Sequence, residues 1–309
     1  MRGDAIRIGT RGSPLALAQA NDVRSRLIAA SGRPGGDFTI IVIRTSGDRI
    51  QDRPLAEVGG KGLFTKEIED ALIAGDIDLA VHSMKDMPTA LPPGLEIAAM
   101  LPREDVRDAF ISLTAASLSA LPPGAKVGTS SLRRAAQVRK LRPDLRIEPF
   151  RGNVETRLRK LSDGIADATL LAVAGLNRLG MRDRITQPIE VGEMLPAVAQ
   201  GAVGIEIRAD DTRLRHLLAP LNDPATTLCV TAERAFLARL EGSCRTPIAG
   251  LARLEGGDLA FMGQILTPDG LEAHATERRG RAELALSLCG SAAEELLSKA
   301  GPGFFDVKS

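Results

Sequence analysis

One short passage occurs twice in this chain. Arg7-Ile8-Gly9-Thr10 closes an apolar run and leads through Arg11-Gly12 to Ser13-Pro14, and Lys126-Val127-Gly128-Thr129 closes another and leads to Ser131. Each time an extended segment stops at Gly-Thr, and a serine stands where a helix N-cap belongs; the first copy adds proline at the first helical position. A second echo follows. Gly75-Asp76-Ile77-Asp78-Leu79-Ala80 resembles Gly164-Ile165-Ala166-Asp167-Ala168-Thr169, a glycine three residues ahead of an aspartate that enters an apolar run. The repeat implies two related α/β domains, or two uses of one common turn chemistry.

Hydrophobic spacing fills in the elements. It predicts a strand over residues 5–8, then a helix over 14–30 with Ala16, Ala20, Val23 and Leu27 on one face. The apolar run at 38–43 reads as a strand covered on both faces, and 77–81, 95–100 and 202–207 read as further strands. Phe64, Ile68, Ala71 and Leu72 share a helix face, and a further helix is expected over 211–219. Strands alternating with helices imply parallel, doubly wound sheets. Asn222-Asp223-Pro224 reads as a linker. Beyond it a helix (226–240), turns at Gly256-Gly257 and Pro268-Asp269-Gly270 and a last helix from Ala282 imply a small α+β domain with an antiparallel sheet.

At 309 residues, two or three domains of roughly 100 to 200 residues are expected, with a core that needs no disulfide or metal. No run of about 18 apolar residues and no charged n-region ahead of an apolar stretch is present, so transmembrane and secreted readings are poor. Three cysteines without C-x-x-C spacing suit a reducing compartment, and a cytoplasmic protein is expected. Net charge is +1, yet between Lys126 and Lys160 eleven Lys or Arg stand against three Asp or Glu. That segment is either a solvated basic face or a binder of anions. With no Trp, no Tyr and eight Phe there are few stacking platforms for nucleic acid, so a small polycarboxylate or phosphate fits better.

Both repeated turns present N–H groups at a helix N-terminus, an anion site, and each carries hydroxyl and guanidinium groups. The first has Arg11 and Ser13; the second has Thr129, Ser131, Arg133 and Arg134. Arg151-Gly152-Asn153 and Arg157 open the next helix. Arginine forks grip carboxylates bidentately, so two such turns across a cleft would clamp a multiply charged acid. The G-x-x-G at Gly9 is not a dinucleotide fingerprint, and Gly60-Lys61-Gly62 is not a Walker A loop. His82, His216 and His274 are scattered, no metal centre is expected, and His82 is read as packing or hydrogen bonding at a strand end. Asp86, after the strand at 77–81, stands at the edge where open α/β sheets carry chemistry; it is a functional carboxylate or a solvated turn residue. Cys229 and Cys289 sit among apolar helix residues and read as core. Cys244 lies in the polar loop Glu241-Gly242-Ser243-Cys244-Arg245, where the cation favours thiolate: a nucleophilic or modified cysteine, or an inert one.

Eight segments, IRIGTRGSPLALAQA, VGGKGLFTKEIE, AVHSMKDMP, VGTSSLRRAAQ, RGNVETRL, LLAVAGLNRLG, LPAVAQGAVGIE and LEGSCRTPI, resemble in order those of the porphobilinogen deaminase, or hydroxymethylbilane synthase, family. The resemblance spans nearly the whole chain. It implies two lobes like those of periplasmic binding proteins, with the chain crossing twice between them, and a third, cofactor-carrying domain. The expected division is residues 1–101 with 201–220, 105–196 and 223–309. It implies a dipyrromethane cofactor bound covalently through Cys244. Porphobilinogen would add to it four times with loss of ammonia, and hydrolysis would release hydroxymethylbilane.

By the same resemblance Asp86 is the catalytic carboxylate. Ser83, Lys85, Thr129, Ser131, Arg133, Arg134 and Arg157 contact the cofactor, Arg11, Ser13, Arg151 and Arg178 bind substrate, and Lys61 belongs to a loop over the site. Elementary chemistry gives these parts a reason. Each added pyrrole brings two carboxylates that need fixed cations, and loss of ammonia develops positive charge that a carboxylate stabilises. The expected partner is this small molecule alone, acting on a monomer without nucleic acid, membrane or metal. A non-enzymatic two-lobed anion- or solute-binding protein is the alternative, but it leaves Cys244 without a role. A cysteine-nucleophile hydrolase has no histidine beside Cys244 as base.

Overall fold

At Gly9 and Gly128, the shared glycines of the repeat, the chain approaches its neighbours closely. A Cβ on Gly9 would lie 2.3 Å from Cδ1 of Ile77, and one on Gly128 would lie 2.5 Å from the Phe150 ring. Only a hydrogen fits at either place. The aspartates of the second echo also share a task. Asp78 accepts the backbone N–H of Arg7 at 2.7 Å and Asp167 that of Lys126 at 2.7 Å, so each fastens the strand that opens its own copy.

The computed structural model describes residues 5–49, 62–242 and 246–306. Along the chain come β1 (Ile6–Thr10), α1 (Pro14–Ser31), β2 (Phe38–Val42), the single turn α2 (Ser46–Arg49), α3 (Lys66–Ala74), β3 (Leu79–Ser83) and β4 (Leu95–Met100). Next are β5 (Asp108–Ser112), β6 (Lys126–Gly128), α4 (Leu132–Leu141), β7 (Arg146–Glu148), α5 (Val154–Ser162), β8 (Ala168–Ala172), α6 (Val173–Arg178) and β9 (Gln187–Ile189). The chain ends with β10 (Val203–Arg208), α7 (Thr212–Leu218), α8 (Pro224–Arg239), β11 (Ile248–Glu255), β12 (Asp258–Leu266), β13 (Ala273–Arg281) and α9 (Ala285–Ala300). Of the described residues, one compact unit takes 5–49, 62–104 and 201–227, and a second takes the rest.

The first unit is built on a sheet of order β2-β1-β3-β10-β4, and the second contains one of order β7-β6-β8-β5-β9. The repeat is thus architectural, with β1 and β6 holding the same place. Both α/β lobes are present, but their sheets are mixed, not wholly parallel. In the first, β10 runs antiparallel to β3 and β4; in the second, β5 runs antiparallel to β8 and β9. The cause lies in where the chain enters. Val203 pairs with Ser83 and Asp108 with Ala172, so each entering strand begins at the edge where its neighbour ends and must run back.

Alternation along β3 covers the first sheet on both faces. Leu79 and Val81 pack with Ala20, Val23 and Leu27 of α1, while Ala80 packs with Ile68 and Leu72 of α3. These residues are buried, as the helical spacing of α1 requires. In the second unit Val138 of α4 joins Val127 and Leu170 on one face, and Leu158, Leu161 and Leu176 join Ala109 and Phe150 on the other. The remaining strands form the antiparallel sheet β11-β12-β13. Phe236 of α8 meets Phe261 edge-on at 4.9 Å, and Ala249 and Leu251 pack on Val191 and Leu195 of the same unit.

Candidate functional site

In the first unit β1 and β3 are adjacent and parallel, so the segments that follow them emerge side by side. Arg11 follows β1, and Ser13 caps α1 by accepting the N–H of Ala16 at 3.3 Å. Ser83 ends β3, and Asp86 closes the 3₁₀ turn Met84–Asp86. These four expected site residues line one cavity with Gln19, Phe64, Thr65 and His82. Lys85 is half-buried in the same turn and is not part of the lining.

The cavity is preorganised by neutral contacts. The Gln19 amide, 4% exposed, both donates to Ser83 Oγ (2.9 Å) and accepts from it (3.1 Å). The Arg11 guanidinium lies over the Phe64 ring, 4.2 Å from its centroid, a cation–π contact that fixes a charge without neutralising it. The Asp86 side chain is exposed. Behind it His82 pairs with Glu206, Nε2 to Oε2 at 2.9 Å, with Glu69 close by. Sequence reading placed His82 at a strand end but missed its partners, which stand on β10 and α3.

The second unit's turn is more deeply set. Thr129 is buried and its Oγ1 accepts the N–H of Ser131 at 3.2 Å; Ser131 in turn caps α4 through the Arg134 N–H. Arg133 and Arg134, each 5% exposed, converge on the fully buried Asp108. Arg133 donates to Asp108 Oδ2 at 2.7 Å and to the Leu195 carbonyl; Arg134 donates to Oδ1 at 2.7 Å and to the Leu170 carbonyl. Gln200 adds a bond to Oδ1 at 2.9 Å. Burial alone would raise the Asp108 carboxyl, but the two guanidinium groups outweigh it and hold it well below the usual carboxylate range. Burial also lowers Arg133. Both arginines, expected as ligand clamps, thus also staple α4 to β5 and β8.

Asn153 caps α5, Arg157 Nε donates to the Gly152 carbonyl at 2.9 Å, and Arg151 has a buried Nη1 without a hydrogen-bond partner. Arg178 is the last residue of α6. Cys244 and Lys61 lie outside the described residues. Cys229 and Cys289 are buried thiols outside any disulfide, and burial, with Glu233 and Cys229 adding to it, pushes Cys289 up to about 12. Among the described residues no group of three or more His, Cys, Asp or Glu is placed to hold a metal, and no helix is long and apolar enough to cross a membrane.

Two α/β sheets with basic, hydroxyl-bearing helix starts and a carboxylate at a strand end define a two-lobed anion-handling protein. Residues 6–216 match the family described as porphobilinogen deaminase, dipyrromethane cofactor binding domain, and residues 227–298 match its C-terminal domain. The chain is 61% identical over 301 residues to the porphobilinogen deaminase of Paracoccus denitrificans, covering 97% of this chain and 96% of that one. It is 55% identical over 307 residues to the chloroplastic porphobilinogen deaminase of Pisum sativum, covering 97% and 83%. Among solved structures, the methionine-binding protein MetQ is similar at a TM-score of 0.45 and 13% identity, over 72% of this chain and 92% of that one. The periplasmic aliphatic sulphonate binding protein SsuA of Escherichia coli is similar at 0.41 and 14%, over 77% and 71%. The chain belongs to the porphobilinogen deaminase family, and it is an enzyme of tetrapyrrole biosynthesis with that activity.

Proposed function

We propose that the chain joins four porphobilinogen molecules head to tail, releasing ammonia, on a dipyrromethane held through Cys244, and frees hydroxymethylbilane by hydrolysis. The carrying observation is the convergence of Arg11, Ser13, Ser83 and Asp86 on one cavity at the ends of β1 and β3. Arg11 and Ser13, with Arg151 and Arg178, hold substrate carboxylates. Asp86 faces the carbon from which ammonia departs and lowers the energy of the developing positive charge.

The buried arginine set fits an anionic cofactor. Two guanidinium groups against the single Asp108 carboxylate leave one positive charge in excess, and Arg133 Nε is buried there without a partner. Dipyrromethane carboxylates are suited to such donors, and Thr129, Ser131, Arg157, Ser83 and Lys85 complete the set. When bound, the group supplies a fixed pyrrole end to which substrate is added. Lys61 belongs to a covering loop. We assign three domains, 1–101 with 201–220, 105–196 and 223–309, to a cytoplasmic monomer. The test is stoichiometry: purified protein given porphobilinogen alone should release one ammonia per substrate consumed and yield a linear tetrapyrrole. Consumption without ammonia would refute the proposal.

A further inference from the structure

The cavity has one wall that this reaction scheme leaves unused. His82 lines it beside Ser83, Asp86 and Thr65, yet the imidazole is almost wholly buried and bound to Glu206. Glu206 has no exposed surface, and its Oε1 is buried without a hydrogen-bond partner. Glu69, 6% exposed, has an Oε1 in the same condition. Burial pushes the Glu69 carboxyl upward; Thr65 eases this, Glu206 adds to it and His82 relieves it, so the groups feel one another's charge. Around His82 the charged groups are Glu69 from α3, Glu206 from β10, Arg11 after β1, and Lys85 and Asp86 from its own turn, while α1 offers the neutral Gln19. An imidazole that stands between two buried carboxylates and the cavity is placed to take a proton from the cavity and return it.

We propose that His82 is the proton carrier of this pocket, with Glu206 and Glu69 as positioning residues that hold and charge-balance it. This rests on the deaminase reading. The C–N bond of the protonated aminomethyl group breaks with its electron pair on nitrogen, releasing ammonia, and the new C–C bond draws on the π electrons of the acceptor pyrrole. The C–H bond at the attacked ring carbon then breaks. Its electrons restore the aromatic ring, its proton passes to neutral His82, and His82 gives it to ammonia. Ammonium leaves and the imidazole ends neutral, so atoms and charge balance.

Two readouts test the assignment. The chain has three histidines, so the His82 ring resonance can be assigned by its loss in His82→Gln and titrated by NMR without substrate. Glu206→Gln removes a negative charge beside the imidazole and should move that midpoint to lower pH; Glu69→Gln should move it less, in the same direction. The acid limb of the kcat–pH profile should move with the midpoint. His82→Gln should lower kcat by about 10²–10⁴, the usual scale of acid–base catalysis, with KM little changed. A midpoint that moves while the limb stays, or a folded His82→Gln enzyme with normal kcat, overturns the proposal and leaves a structural ion pair. If Glu206→Gln does not fold, the isosteric Glu69→Gln carries the same test. If the unaltered enzyme releases no ammonia from porphobilinogen, the reading beneath fails, and this inference with it.

Discussion

Two aspartates, Asp86 and Asp108, stand in opposite environments. Asp86 is exposed at the cavity, and its replacement touches no buried network. Asp86→Asn should therefore fold normally and turn over porphobilinogen about 10²–10³ times more slowly, the usual cost of deleting one preorganised transition-state charge. Asp86→Glu keeps the charge but shifts it by about 1 Å, and should fall between the two. Steady-state rates on protein of checked fold decide this, and a normal rate in Asp86→Asn returns the residue to a solvated turn. Asp108 is the opposite case. Asp108→Asn leaves two buried guanidinium groups short of their anion and should cost about 3–5 kcal/mol at neutral pH. Because its folded pKa is depressed, that stability is present above the unfolded value of about 4 and is lost as pH falls from there toward the folded value. Denaturant unfolding of both proteins from neutral to acid pH should show the gap closing below about pH 4.

At the scale of elements, the strand-to-helix turns depend on shape as much as on charge. Gly128→Ala would drive a Cβ into the Phe150 ring and should destabilise by about 1–3 kcal/mol, the range for overpacked cores. Gly192→Ala meets nothing within 4 Å and is the control; equal losses in thermal unfolding would contradict the argument. Arg133→Leu and Arg134→Leu should impair both stability and cofactor loading, unlike Arg281→Leu, whose side chain is 78% exposed. What sequence could tell about such elements follows from distance along the chain. Arg11, Ser13 and Asp86 could be singled out because each stands just beyond an apolar run whose end is a local fact, whereas Ser83 came only through the family resemblance. The Asp108 triad was not, since its partners are 25 and 26 residues away, and Glu206 is 124 residues from His82. The three-residue strands β7 and β9 are too short for a period to appear. The antiparallel sense of β5 and β10 depends on where the chain enters each sheet, which no local pattern records.

For the whole molecule, the proposed attachment of the cofactor through Cys244 gives the most direct measurement. Intact mass of denatured, active protein should exceed the sequence mass by two condensed pyrrole units, because a thioether survives unfolding. Cys244→Ser should abolish the increment, while Cys229→Ser and Cys289→Ser, altering buried thiols, should keep it. An unmodified mass in active enzyme refutes attachment.

The insertion of β10 between β3 and β4 also orders events during synthesis. All five strands of the second sheet are translated within residues 108–189, so that sheet has every member as soon as this stretch leaves the ribosome. The first sheet lacks its member between β3 and β4 until residues 203–208 are made, about a hundred residues after β4. At roughly 5–20 residues per second this is an interval of several seconds. Throughout it β3 presents an unpaired edge bearing Leu79, Ala80 and Val81, all buried in the finished protein, and such an edge invites association with other chains. The nascent chain thus passes through a window of aggregation risk that ends only when β10 arrives, and the amino-terminal lobe, though first to be translated, is completed second.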